Sequence, residues 1–144
     1  MSRPGPHHVT PLTGCAATAV GGALGALARW GLESAFPAGD GAFPWVTFLI
    51  NVAGSALLAS LPLLPAVRRR PWVGVLLGAG VLGGFTTMST ATVDTFALLD
   101  AGHVALGSAY CLGTVAAALA AVLLVNRLTT AEQQQAAMDE ERDE

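Results

Sequence analysis

No lysine occurs in this chain, and all seven of its basic residues are arginine, which reads as a compositional bias. Charge of either sign is scarce. Asp, Glu, Lys and Arg make up 12% of the residues, against about 25% in an ordinary soluble domain. That is too little charge to cover a soluble fold of 144 residues, and no basic face is available for a nucleic-acid partner. Cysteine is limited to Cys15 and Cys111, in different apolar blocks, without C-x-x-C spacing or a neighbouring histidine. This excludes a disulfide framework or zinc site and reads as two small buried residues. The doublet His7-His8 lies in a polar arm and reads as solvated. No nucleophile–base set, metal-binding cluster or internal repeat is visible. GGALGA at 21–26 has no strand before it, so it is not a phosphate loop. An enzyme is not expected.

Apolar residues are abundant, at 53% of the chain, with a mean hydropathy of +0.57. They fall into four blocks, about 12–32, 45–64, 72–99 and 103–126, each near the roughly 20 residues a helix needs to cross a bilayer. A polar arm (1–11) precedes them and a charged tail (127–144) follows, which reads as solvated. The first block is too long for a signal-peptide core, and ARWGLE at its end is a poor cleavage site, so it reads as a retained span. The expected fold is an all-α membrane domain of four helices. An even number of spans puts both termini on one side. Arg3, Arg68, Arg69, Arg70, Arg127 and Arg142 then share that side and only Arg29 lies opposite, a bias of six to one that predicts cytoplasmic termini.

Three stretches stand out within the apolar blocks. GGALGALARW carries Gly21 and Gly25 at the small-xxx-small spacing that lets two helix backbones meet. FLINVAGS carries Asn51, whose amide either bonds to a neighbouring helix or lines a polar pathway. The third is GGFTTMSTATVD, within a block of about 28 residues that is too long for one straight crossing. Gly83-Gly84 offers backbone freedom for a break near the middle of helix three. In lipid such a break survives only where its freed backbone groups are buried or line a cavity. Freed carbonyls can face a cation, and the hydroxyls of Thr86, Thr87, Ser89, Thr90, Thr92 and Thr95 can donate to an anion or to water. Bonding back to the carbonyl four residues earlier accounts for one or two of them. Helix four carries Ser108, Tyr110 and Thr114 on an Ala/Val/Leu surface.

These three motifs, in this order and at these separations, resemble the Fluc (CrcB) family of fluoride channels, from about Gly21 to Leu124. The resemblance implies a four-helix subunit of a bacterial inner-membrane channel that pairs antiparallel with a second Fluc-type subunit in the lipid bilayer. Such dimers passively export fluoride and so lower its toxicity. It implies a structural Na+ at the dimer interface, held by the backbone carbonyls of Gly83 and Thr86. It places Asn51, Ser89, Thr90, Tyr110 and Thr114 along the anion pathway, and Arg29 and Gly84 in structural roles.

The chain departs from that pattern in one run. The family reads TTFSTF where this chain reads TTMSTA, so Met88 and Ala91 stand at the positions of two phenylalanines whose ring edges would meet the anion. Phe85 points elsewhere on the helix and is not a substitute. The hydroxyl stripe of helix four also stops early, since Ala118 and Val122 follow Thr114. Together with the arginine bias, this points to one half of a heterodimer whose partner supplies the rings. A non-conducting assembly subunit is the alternative. A small multidrug transporter is a further one, but it needs a carboxylate deep in helix one, where Glu33 is the only candidate and sits at the helix end. Asp94 reads as a capping or hydrogen-bonding group.

Overall fold

The computed structural model describes residues 9–142, with side chains through residue 130. His7, His8 and Arg3 lie outside the described residues, as do the side chains of the acidic tail and Arg142. Every regular element among the described residues is helical.

Helix α1 (Pro11–Ala35) starts where Thr10 caps it, its hydroxyl accepting from the Thr13 amide at 3.3 Å, and where Pro11 occupies the first turn at no cost in hydrogen bonds. Helix α2 (Trp45–Ser60) tightens into a 3₁₀ turn over Leu61–Leu63. The short helix α3 (Pro65–Arg69) carries two of the clustered arginines. The third span, Pro71–Asp100, is segmented: α4 (Pro71–Val75), a π-helical stretch (Leu76–Leu82), α5 (Gly83–Phe85) and α6 (Met88–Asp100). Gly102, at φ 82°, makes the tight turn into α7 (Val104–Arg142). That helix continues well past residue 126, where the apolar block ends. Among the described residues, four helices are long and apolar enough to cross a membrane.

Glycine decides how the spans meet. Helix α1 packs along the first half of the third span, while α7 packs on α2 and α6. A β-carbon on Gly21 would collide with the Leu76 carbonyl, one on Gly25 with the Val81 carbonyl, and one on Gly84 with the Gly22 carbonyl. Gly54 of α2 is likewise closed in by the Thr86 and Phe85 side chains, so Phe85 turns toward α2. Helices with so little between them gain dispersion contact and weak Cα–H···O bonds, which matter where no hydrophobic effect drives association.

The outside of the molecule is apolar, and polar side chains share its interior with Ile50, Leu82 and Leu98. Thr47, Asn51, Thr87 and Thr114 are buried, while Leu12, Leu27, Phe96 and Leu112 are more than half exposed on the helix surfaces. Cys15 and Cys111 are also exposed, against the expectation of burial. The reason is that a lipid-facing surface accepts a small apolar thiol as readily as a core does.

The loop at 36–44 and the turn at 101–103 share one end of the bundle, where Gly41 abuts the His103 ring. Arg68–Arg70 and Arg127 follow from the helix directions at the other end. The packing predicts that Gly25→Leu lowers the thermal midpoint in detergent, the overpacking costing at least about 1–3 kcal/mol. Gly31→Leu, with nothing within 4 Å of its β-carbon, should leave the midpoint nearly unchanged.

Candidate ion pathway

Two consecutive extended residues separate α5 from α6: Thr86 (φ −76°, ψ 150°) and Thr87 (φ −148°, ψ 119°). The glycines before them do not supply this geometry. Gly83 is helical (φ −64°, ψ −34°) and Gly84 lies in the same helical turn, with no positive φ at either. This corrects the expected role of the pair: Gly84 is small because Gly22 of α1 presses on it, and the departure from helix falls on two threonines. Threonine tolerates it well, since a β-branched side chain favours extended backbone.

Both backbone groups of Thr87 find partners. The Thr87 amide donates to Asn51 Oδ1 at 2.8 Å, and Asn51 Nδ2 donates to the Thr87 carbonyl at 2.9 Å. One side chain of α2 thus replaces the helical neighbours of both backbone groups of Thr87. From the opposite side Arg29 of α1 donates through Nε to the Gly84 carbonyl and through Nη1 to Thr90 Oγ1, both at 3.4 Å, and pairs with Glu33 at 3.4 Å. The sequence treated Arg29 and Glu33 separately, although their i, i+4 spacing was a readable signal for the pair. Among the described residues, the carbonyls of Gly83 and Thr86 accept no hydrogen bond. Two unpaired carbonyls released at a break are a donor set that suits a hard monovalent cation.

The hydroxyls divide into two groups. Thr86, Thr92 and Thr95 bond back to the carbonyls of Leu82, Met88 and Ala91 at 2.7–2.9 Å, so local bonding absorbs more of them than the sequence reading allowed. The others form a knot. Thr87 Oγ1 caps α6 by accepting from the Thr90 amide at 3.1 Å, donates to Thr90 Oγ1 at 3.0 Å, and lies 3.2 Å from Ser89 Oγ. Thr90 Oγ1 accepts from both Arg29 and Thr87, which uses its two lone pairs and leaves its own proton free to donate. Asn51 likewise keeps one Nδ2 proton beyond its bond to Thr87.

Two cavities flank the break, and these spare donors line them. A cleft of about 580 Å³ at the loop end is lined by Thr90 together with Glu33, Phe43, Trp45, Thr47 and Asp94. A cavity of about 280 Å³ on the arginine-rich side is lined by Asn51, Ser55, Thr86, Thr87, Met88 and Thr114. The 3.0 Å contact between Thr87 and Thr90 joins the two. Thr87, read from the sequence as one of six available hydroxyls but not placed on the anion pathway, is therefore central; its place beside the break was legible, its pairing with α2 was not.

The remaining candidates fall as follows. Thr114 is buried beside Asn51, and its proton is given to the Tyr110 carbonyl at 2.7 Å. Tyr110 is fully buried and lines neither cavity; its hydroxyl donates to Asp94 Oδ2 at 3.2 Å, the hydrogen-bonding role read for Asp94, and its ring meets Phe43 edge-on at 5.2 Å. Ser89 is exposed and also lies outside both cavities. Met88 is 65% exposed and Ala91 is 7% exposed; both border a slot of about 70 Å³ between α6 and α7.

The pairing of Asn51 with Thr87 predicts that Asn51→Ala destabilises the domain by about 1–3 kcal/mol for each peptide group left unpaired. Faster hydrogen exchange at the Thr87 amide, measured in detergent, checks it.

Comparison with known proteins matches this architecture to one family. Residues 16–125 match the family described as CrcB-like protein, Camphor Resistance (CrcB). Over 116 residues the chain is 43% identical to fluoride-specific ion channel FluC 1 of Mycolicibacterium paratuberculosis, covering 78% of this chain and 87% of that one. It is 44% identical over 106 residues to FluC 2 of Streptomyces avermitilis, covering 69% of this chain and 65%, just under two thirds, of that one. With FluC of Nitrobacter winogradskyi it shares 40% identity over 113 residues, covering 74% and 87%. These relatives are named as channels, which agrees with the reading of the sequence as no enzyme. The chain is a multi-pass membrane protein and belongs to the CrcB-like (FluC) family.

Proposed function

We propose that this protein is one subunit of a fluoride-specific channel, carrying fluoride out of the cytoplasm across the bacterial inner membrane and so lowering its toxicity. The observation that carries this reading is the break at Thr86-Thr87, held open by Asn51 and Arg29 between two cavities lined with spare hydrogen-bond donors. Fluoride is small and strongly hydrated, so a pathway must replace its water with donors. The Thr90 hydroxyl and the second Asn51 Nδ2 proton are such donors, and a hydrogen bond to an anion is roughly twice as strong as a neutral one. The names of the relatives support the same ion.

The working assembly is an antiparallel dimer, with both termini of this chain on the cytoplasmic side as its arginine distribution favours. A structural Na+ at the dimer interface would be held by the carbonyls of Gly83 and Thr86, where it supplies positive charge to backbone oxygens that have no other partner. In this reading Gly83, Thr86, Gly84 and Arg29 maintain the break. Asn51, Thr90 and Thr114, with Ser89 and Tyr110, border the anion route once the partner is in place.

The second subunit is a different Fluc-type chain. Met88 and Ala91 leave this chain without the ring edges that face the anion, and the slot beside them is open at the surface of α6 and α7. Relatives numbered FluC 2 and FluC 3 within one Streptomyces species support paired subunits. The same loss favours a second reading, in which this chain only completes the assembly.

Fluoride efflux from liposomes separates these readings. The chain alone should release fluoride no faster than empty liposomes, and co-expression with a sister subunit carrying TTFSTF should restore efflux. Conduction by the chain alone would overturn the heterodimer. For the cation, replacing Na+ with N-methylglucamine should lower the thermal midpoint of the assembled dimer, and restoring millimolar Na+ should recover it; an unchanged midpoint would remove the structural Na+.

A further inference from the structure

At the loop end of the bundle, helix α1 carries a charge pair whose carboxylate, Glu33, the pathway described above does not use. Arg29 lies six residues before the end of α1 at Ala35, which sets it about 9 Å below the helix end at a rise of 1.5 Å per residue. Its side chain is 25% exposed and that of Glu33, one turn nearer the end, is 24% exposed. Glu33 lines the 580 Å³ cleft with Thr90, the hydroxyl that has a proton to spare, and with Asp94. Asp40 in the loop after α1 and Asp100 at the end of α6 lie at the same end, and the other described arginines lie at the opposite one. Arg29 does not line the cleft itself but bonds to Glu33 and Thr90, which do, so an anion in the cleft feels a guanidinium whose charge is already answered by a carboxylate.

We propose that Glu33 sets how many anions the loop-end cleft holds, by neutralising Arg29 directly below it. It acts as a charge brake, a residue that limits anion occupancy without touching the break itself. The guanidinium has its own bonds to Gly84 through Nε and to Thr90 through Nη1 besides the Glu33 pair, so removing the carboxylate leaves it two anchors in the break. The direction of the effect is fixed by sign: removing the carboxylate leaves one uncompensated positive charge beside Thr90. A unit charge acting over roughly 7 Å in a largely aqueous cleft changes local anion occupancy by about two- to fivefold. The proposal rests on reading the cleft as part of an anion route, and its test does not require that the route conduct.

Trp45 lines the same cleft and reports on it. The full chain, with Trp30→Phe and Trp72→Phe as the parent background, is reconstituted in lipid nanodiscs. Quenching of Trp45 fluorescence is then measured with iodide and with neutral acrylamide. Glu33→Gln should raise the iodide quenching constant about two- to fivefold at low ionic strength. The gain should fade at about 1 M inert salt, where the screening length is only about 3 Å, and acrylamide quenching should not change. Glu33→Asp, which shifts the carboxylate but keeps its charge, should stay near the parent. Adding Arg29→Gln to Glu33→Gln should cancel the gain.

Equal iodide constants for Glu33→Gln and the parent would overturn the proposal. So would a matching rise with acrylamide, which would mean a cleft merely opened, or an Asp variant that behaves like the Gln variant. Fluoride efflux of the co-assembled channel is measured separately. Its absence would remove the fluoride reading, while the iodide data decide the role of Glu33 on their own.

Discussion

One side chain paired with both backbone groups of one residue underlies the rest of this molecule. Two extended residues inside a membrane span release N–H and C=O groups that have no water to turn to, each worth several kcal/mol if left unmet. Asn51 meets both groups of Thr87 at once, at 2.8 and 2.9 Å, as a neighbouring strand would. A carboxylate there could only accept and an ammonium could only donate, so among short side chains the amide suits this place. The buried side-chain polar atoms of the described residues all have partners, which shows how completely the polar interior is satisfied.

The opposite side of the break depends on glycine. Arg29 reaches the Gly84 carbonyl only because Gly21, Gly25 and Gly84 let α1 and the third span touch backbone to backbone. A larger residue at any of these points would move the guanidinium away from both Gly84 and Thr90. A lone arginine at membrane depth is costly, and here its charge is shared among a carbonyl, a hydroxyl and the Glu33 carboxylate. Close packing, charge compensation and the geometry of the break are thus one arrangement.

The hydroxyl groups follow an economy of protons. Those that bond back to their own helix, Thr86, Thr92, Thr95 and Thr114, have none left for a ligand. Thr90 is different because two neighbours donate to it, which turns its own proton outward. Counting threonines along a helix would rank all of these alike. Their use is decided by what reaches them from α1 and α2.

Much of the fold was legible in the residues. Four apolar blocks about as long as a bilayer is thick, separated by arginine, proline and glycine, require four spans, and the order of three short motifs carried the family. The glycine spacing at Gly21 and Gly25 foretold a close helix contact because backbone approach leaves a direct compositional trace. The sequence also located the polar stretch of helix three, yet it assigned the change of direction to Gly83-Gly84. The tertiary structure moved it to Thr86-Thr87, since Gly84 is small for the sake of Gly22, and only the packed neighbour reveals that. The embrace of Thr87 by Asn51, 36 residues away, and the reach of Arg29 to Gly84, 55 residues away, leave no local pattern at all. Composition and periodicity record what each residue must satisfy toward lipid, but the choice of partner inside the bundle is made only when the helices meet.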